Sequence, residues 1–175
     1  MRRTALIASA GLLPLAALAS CTQQAPTPAP AATTATTAPV SAPAAPKPVQ
    51  TADCPYLRNS TVADANGQRV YHVKVSAGDP PACFFYRADG RLQLSIWVYH
   101  GEPKAAQAII DRAAPVATSD KATEPAGWTG GSQPTGSGAV YAVLKGGDAV
   151  VVRTNQDQTI KARELATDAI SALHL

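Results

Sequence analysis

The chain has 175 residues, 15 of them proline, and 15 lysines and arginines against 12 acids give a formal charge of +3. Arg2 and Arg3 carry two of those charges, so the chain beyond residue 20 stands at +1. So small a surplus, with no block of like charge, excludes the electrostatic grip on nucleic acid that a basic pI would suggest.

The first predicted element is a secretory signal. Arg2 and Arg3 precede an apolar run over residues 5–19, which ends in Leu18-Ala19-Ser20-Cys21. At about fifteen residues the run is shorter than the roughly 20 that a permanent membrane-spanning helix requires. A cysteine directly after two small residues matches the bacterial lipoprotein signal. In that pathway the thiol takes a diacylglyceryl group, and cleavage leaves Cys21 as the lipid-bearing N-terminus. The alternative is an ordinary cleaved signal in which Cys21 is incidental. The expected organisation is a signal peptide at 1–20, a lipidated Cys21 and tether over 21–52, and one globular domain over 53–175. That places the protein outside the cytoplasm, on the outer face of the cell membrane.

Residues 22–50 hold Pro26, Pro28, Pro30, Pro39, Pro43, Pro46 and Pro48, mostly among Ala, Thr and Gln, and no aromatic residue. A segment with so little apolar surface to bury cannot offset its ordering entropy and is expected to stay unfolded. Proline biases it toward extended polyproline geometry, with an upper reach of about 90 Å. The run Thr33-Thr34-Ala35-Thr36-Thr37 reads as an O-glycosylated stalk or as bare tether.

Beyond it, Cys54 and Cys83 stand in a chain exported to an oxidising space, and a disulfide between them is the expected pairing. It closes a loop of about thirty residues, worth about 3–4 kcal/mol in the chain-entropy account. Two separate buried thiols are the alternative. No Cys-x-x-Cys or histidine pair at ligand spacing supports a metal. A short helix is predicted to run to Asn66, with Gly67 suited to a left-handed cap. Residues 70–75 and 83–87 read as strands, and Asp89-Gly90 as a hairpin turn. Leu92–His100 is the clearest strand. There Leu92, Leu94, Ile96 and Val98 alternate with Gln93, Ser95, Trp97 and Tyr99.

Pro103 opens a helix carrying Ala105, Ala106, Ile109, Ile110 and Ala113 at helical spacing, and Pro115 ends it. Residues 116–138 read as a long, polar, glycine-rich loop. Two strands, 139–144 and 149–154, flank a Gly146-Gly147 turn. A terminal helix follows with Ile160, Leu165, Ala166, Ala169, Ile170 and Leu173 on one stripe. The order predicts an α+β fold, an antiparallel sheet of about five strands with helices on both faces.

Three segments carry a resemblance: Cys83-Phe84-Phe85-Tyr86-Arg87; Gly127-Trp128-Thr129-Gly130-Gly131-Ser132-Gln133-Pro134; and Lys145-Gly146-Gly147 with Thr154-Asn155-Gln156. They resemble an actinobacterial lipoprotein family described only as a domain of unknown function, number twenty-twenty in that series. The resemblance implies a PsbP-like α/β/α sandwich. The family has no established activity, so no catalytic residue follows from it.

Chemistry-bearing residues are sparse. His174 lies near the end of the chain, and His72 shares a strand face with Lys74. His100 stands beside Gly101-Glu102, either an acid–base pair or a solvated strand end. No Gly-x-Ser-x-Gly, His-Glu-x-x-His or P-loop pattern occurs. The candidate contact residues are Trp128, Ser132 and Gln133 in the glycine-rich segment, and Trp97 and Tyr99 on one strand face. Trp128 reads either as an aromatic anchor for a partner or as a cap on the sheet edge. Trp97 and Tyr99 line a groove or lie under a helix. No catalytic residue, cofactor or metal is expected. The reading is a membrane-anchored, non-enzymatic binding or accessory domain acting on an unidentified envelope protein or small ligand. The alternatives are an envelope hydrolase around His100 and Glu102, or a carrier of a small apolar molecule.

Overall fold

The structure is a computed structural model that describes residues 41–175. The expected signal at 1–20, Cys21 and the tether as far as residue 40 lie outside the described residues. In chain order the elements are β1 (Gln50–Thr51), α1 (Asn59–Asn66), β2 (His72–Val75), β3 (Cys83–Tyr86) and β4 (Leu92–His100). Then come α2 (Pro103–Ala113), β5 (Asp120–Ala122), β6 (Thr129–Thr135), β7 (Gly138–Lys145), β8 (Asp148–Thr154) and α3 (Thr159–Ala172). The fold is mixed α+β. All strands join one antiparallel sheet in the order β1-β2-β3-β4-β8-β7-β6-β5. Two four-strand meanders thus meet where β4 pairs β8.

Each face of the sheet has its own core. Leu94, Ile96 and Val98 of β4, with Val150 and Val152 of β8, pack against Val62 of α1 and Leu165, Ala166 and Ala169 of α3. The alternate residues, Ala149 and Val151 of β8 with Val140 and Ala142 of β7, pack against Ala106, Ile109 and Ile110 of α2. The central strands are apolar on both faces because helices cover both, as the sequence pattern predicts. The Cys54–Cys83 disulfide is formed, with 5.6 Å between its Cα atoms, and ties the segment before α1 to β3.

Three strands exceed the expected five. β1 lies inside the segment read as tether: Gln50 pairs with Val75 and Thr51 with Lys74. The folded unit therefore begins before the expected boundary at 52/53, and Ala42 already packs beside α2. β5 and β6 occupy the stretch read as a loop. Thr129-Gly130-Gly131-Ser132-Gln133-Pro134-Thr135 has no apolar alternation, but its glycines answer a steric demand. A Cβ on Gly130 would lie 2.0 Å from the Ala142 carbonyl oxygen, closer than any side chain tolerates. Pro134 pairs only with β7, because β5 reaches no further than Ser132, so its missing N–H costs no bond on the outer side.

The β4 alternation also breaks once. Phe85 pairs with Leu94 and Tyr86 with Leu92, so Gln93 is an extra residue, a bulge. It swings Gln93 onto the face of Leu94, where the side chain is 1% exposed, and leaves Leu92 at the surface. On α3 the buried stripe is Ala162, Leu165, Ala166, Ala169 and Ile170, while Ile160 of the expected stripe is exposed.

Candidate functional site

The two ends of the sheet differ in chemistry. At one end β4 begins, β8 finishes, and the hairpin turns β3–β4 and β6–β7 project on either side. α1 also ends here, with Gly67 in the left-handed conformation at φ 68° as its cap. Beneath this end lies a cluster of uncharged side chains. Asn66 donates from Nδ2 to Gln93 Oε1 at 3.1 Å and to Asn155 Oδ1 at 3.2 Å, and its Oδ1 accepts from the Thr154 hydroxyl. Gln93 Nε2 donates to the Arg69 carbonyl at 3.0 Å. Asn155 Nδ2 donates to Gln68 Oε1 at 3.1 Å. Asn66, Gln93 and Thr154 are all buried, and each finds partners, so none pays the cost of a stranded polar group. The bulge at Gln93 makes this possible by turning the amide toward α1.

Outside the cluster opens a cleft of about 650 Å³, a size suited to a small ligand. Gln93, Thr154 and Asn155 contribute to its wall, with Ser95 and Arg153 on the neighbouring strands, which pair directly. Arg87 and Arg91 come from the β3–β4 turn, and Gly136 and Ser137 from the β6–β7 turn. The β3–β4 turn is closed by Gly90 donating to the Arg87 carbonyl and Arg87 to the Arg91 carbonyl, each at 3.0 Å. Asp89 holds it further, accepting from Arg87 Nη2 at 2.7 Å and from the Arg91 backbone N–H at 3.0 Å. Arg87 Nε is buried without an acceptor among the described residues. All acids of the chain lie from Asp53 onward, and neither Arg91 nor Arg153 forms an ion pair with any of them. Burial, and then the nearby Arg112 guanidinium, push the Arg153 pKa down from its ordinary value.

At the opposite end His100 pairs with Asp148 across β4 and β8, Nδ1 to Oδ1 at 2.6 Å, both side chains partly exposed. Glu102, the expected partner of His100, is instead the residue before α2. A carboxylate orienting an imidazole is two parts of a hydrolytic triad. Among the described residues no hydroxyl or thiol hydrogen-bonds to His100, whose recorded side-chain partner is Asp148. His72, on the outer meander, stacks on Tyr86 with ring centroids 4.7 Å apart. No group of His, Cys, Asp or Glu among the described residues could hold a metal ion.

The five candidate contact residues do not form one site. Trp128 is 3% exposed and packs into the core on the α1/α3 face, touching the surface only at the wall of a groove with Lys145 and His174. It is a core side chain rather than an exposed anchor. Ser132, opposite Tyr141, lines a smaller cleft of about 200 Å³ with Glu124 and Arg163, which pair at 2.9 Å. Gln133, opposite Val140, lies on the other face. Trp97 and Tyr99 sit partly buried beside α2, edge to face at 6.4 Å, with the Arg112 guanidinium 6.0 Å from the Trp97 ring. No motif in the sequence marks Arg87, Arg91 and Arg153 as one site. Arg87 and Arg91 flanking Asp89-Gly90 were the available signal, since a hairpin turn brings both to one end of a sheet. Arg153 joins them only through the β4–β8 register, which no local pattern reveals.

The model of a family described as a domain of unknown function (DUF2020) matches residues 38–175. No curated protein matches the chain. With most of its length matched, the chain belongs to that family.

Proposed function

We propose that this protein is a lipid-anchored accessory protein of the cell envelope that binds its ligand without transforming it, on a sandwich of the PsbP-like kind. The Leu18-Ala19-Ser20-Cys21 sequence supports the anchor, with Cys21 as the lipid-bearing residue. One observation carries the binding role: the cleft at the sheet end, lined by Arg87, Arg91 and Arg153 together with Gln93, Thr154 and Asn155. Charged, incompletely paired side chains gathered in a concave space are the construction of a recognition site. The open, arginine-lined wall does not favour the carrier of an apolar molecule.

A photo-crosslinking side chain at Ser137, on the cleft rim, tests the role in native membranes. Val116, 86% exposed and not part of the cleft wall, serves as control. Capture of a discrete ligand or partner from Ser137 and not from Val116 is the expected result. Equal background at both positions overturns the role. Labelling of the protein by a serine-directed fluorophosphonate would instead favour a hydrolase. Metabolic labelling with a fatty-acid analogue tests the anchor, and Cys21→Ala is expected to abolish it.

A further inference from the structure

We propose that the cleft is a site for a phosphoryl group, with Arg91 and Arg153 as its principal ligands and Arg87 as a third cation at the wall. This rests on the binding role proposed above and names the chemistry bound. Three arginines line the cleft and no acid does, and Asp89 of the β3–β4 turn is itself engaged with the Arg87 head group and the Arg91 backbone. Every other acid of the chain is also described, and none reaches Arg91 or Arg153. A concave space lined by cations and by no acid draws an anion.

The anion's shape follows from where the arginines stand. Arg87 and Arg91 come from the β3–β4 turn, and Arg153 comes from β8, on the other side of β4. A carboxylate offers two oxygens whose lone pairs lie in one plane, so its donors must approach within that plane. A phosphoryl group offers three oxygens around one centre and accepts forks from separate directions at once. The Ser95 and Ser137 hydroxyls add neutral donors on the same wall. The volume of about 650 Å³ exceeds what one phosphate needs, so the group belongs to a larger molecule, a free phosphorylated compound or a lipid headgroup.

Isothermal titration calorimetry on the detergent-solubilised full chain tests this, with inorganic pyrophosphate and dihexanoyl phosphatidylglycerol as separate probes. Binding of either is expected, weakening with added salt. It should fall at least about 10-fold in the Arg91→Gln, Arg153→Gln double variant, as loss of charge-assisted bonds requires. The tighter of the two probes assigns the source, free phosphate or headgroup. A double-lysine variant keeps the charge without the fork and is expected to retain part of the affinity. A thermal melt checks that each variant is folded. Absence of heat with both probes, or equal affinity in the folded double variant, overturns the phosphoryl site. If the Ser137 crosslinker still captures a ligand in that case, the binding role stands and only the anion chemistry falls.

Discussion

At one end of the sheet two sets of polar side chains lie within a few residues of each other and are held on opposite terms. Asn66, Gln93 and Thr154 are buried, uncharged and hydrogen-bonded to one another or to backbone. Arg91 and Arg153 line the same cleft and form no ion pair with any acid of the chain. The first arrangement is what folding demands, since each buried donor or acceptor left unmade costs about 1–3 kcal/mol. The second is something folding gains nothing from. Groups that the fold does not need, gathered at one place, point to a use outside the fold.

The comparison breaks if substitutions at the cleft rim cost as much stability as substitutions in the interior. The largest expected loss is at Trp128, which the sequence left open between core and contact surface. Its burial predicts that Trp128→Ala costs about 3–5 kcal/mol, with a melting temperature lower by on the order of 10 °C or more. A melt unchanged within error would return Trp128 to the surface. Next comes the Cys54–Cys83 bridge. Cys83→Ala is expected to cost about 2–5 kcal/mol in chemical denaturation, the usual loss in a small secreted domain. Mass mapping without reduction should recover the linked peptide, and free, alkylatable thiols would contradict it.

The interior half of the comparison is tested at Asn66. Asn66→Ala removes a hydrogen-bond partner from the Gln93 carbonyl oxygen and from the Thr154 hydroxyl, both on buried side chains. The expected loss is about 2–4 kcal/mol by urea denaturation. A loss below about 0.5 kcal/mol would mean that water or repacking replaces the amide. Gln93→Ala should behave similarly, because the bulge exists to place that amide.

Much of this molecule was legible because its signals are local. β4 coincides with its alternating run, α2 lies between Pro103 and Pro115, and Gly67 caps α1 as its position predicts. What escaped was fixed by neighbours distant in sequence. β6 shows no alternation because Gly130 sits where the β7 backbone leaves no space for a Cβ. β1 is two residues long and exists only by pairing with β2. The bulge at Gln93 follows from the β3 register, and the gathering of Arg153 with Arg87 and Arg91 from the β4–β8 register. Periodicity finds elements that bury their own faces. It does not find strands recruited by other strands, or charges assembled from separate turns.

The smallest expected effect is at Arg153. Arg153 is pushed down from its ordinary pKa by burial and then by the Arg112 charge, so the folded state disfavours the protonated guanidinium relative to the unfolded chain. The sign follows directly. A cation whose folded pKa lies below its unfolded value destabilises the fold while protonated, and this penalty is relieved only as the pH rises through the folded value. At neutral pH, Arg153→Gln is therefore expected to leave stability within about 0.5 kcal/mol of the parent, or to raise it slightly. Sodium chloride should separate the two proteins. Screening of the Arg112–Arg153 repulsion should raise the parent's melting temperature between low and high salt by more than it raises the variant's. A loss above about 1 kcal/mol in the variant, or an identical salt response, would give Arg153 a structural partner and place it with Asn66 rather than opposite it.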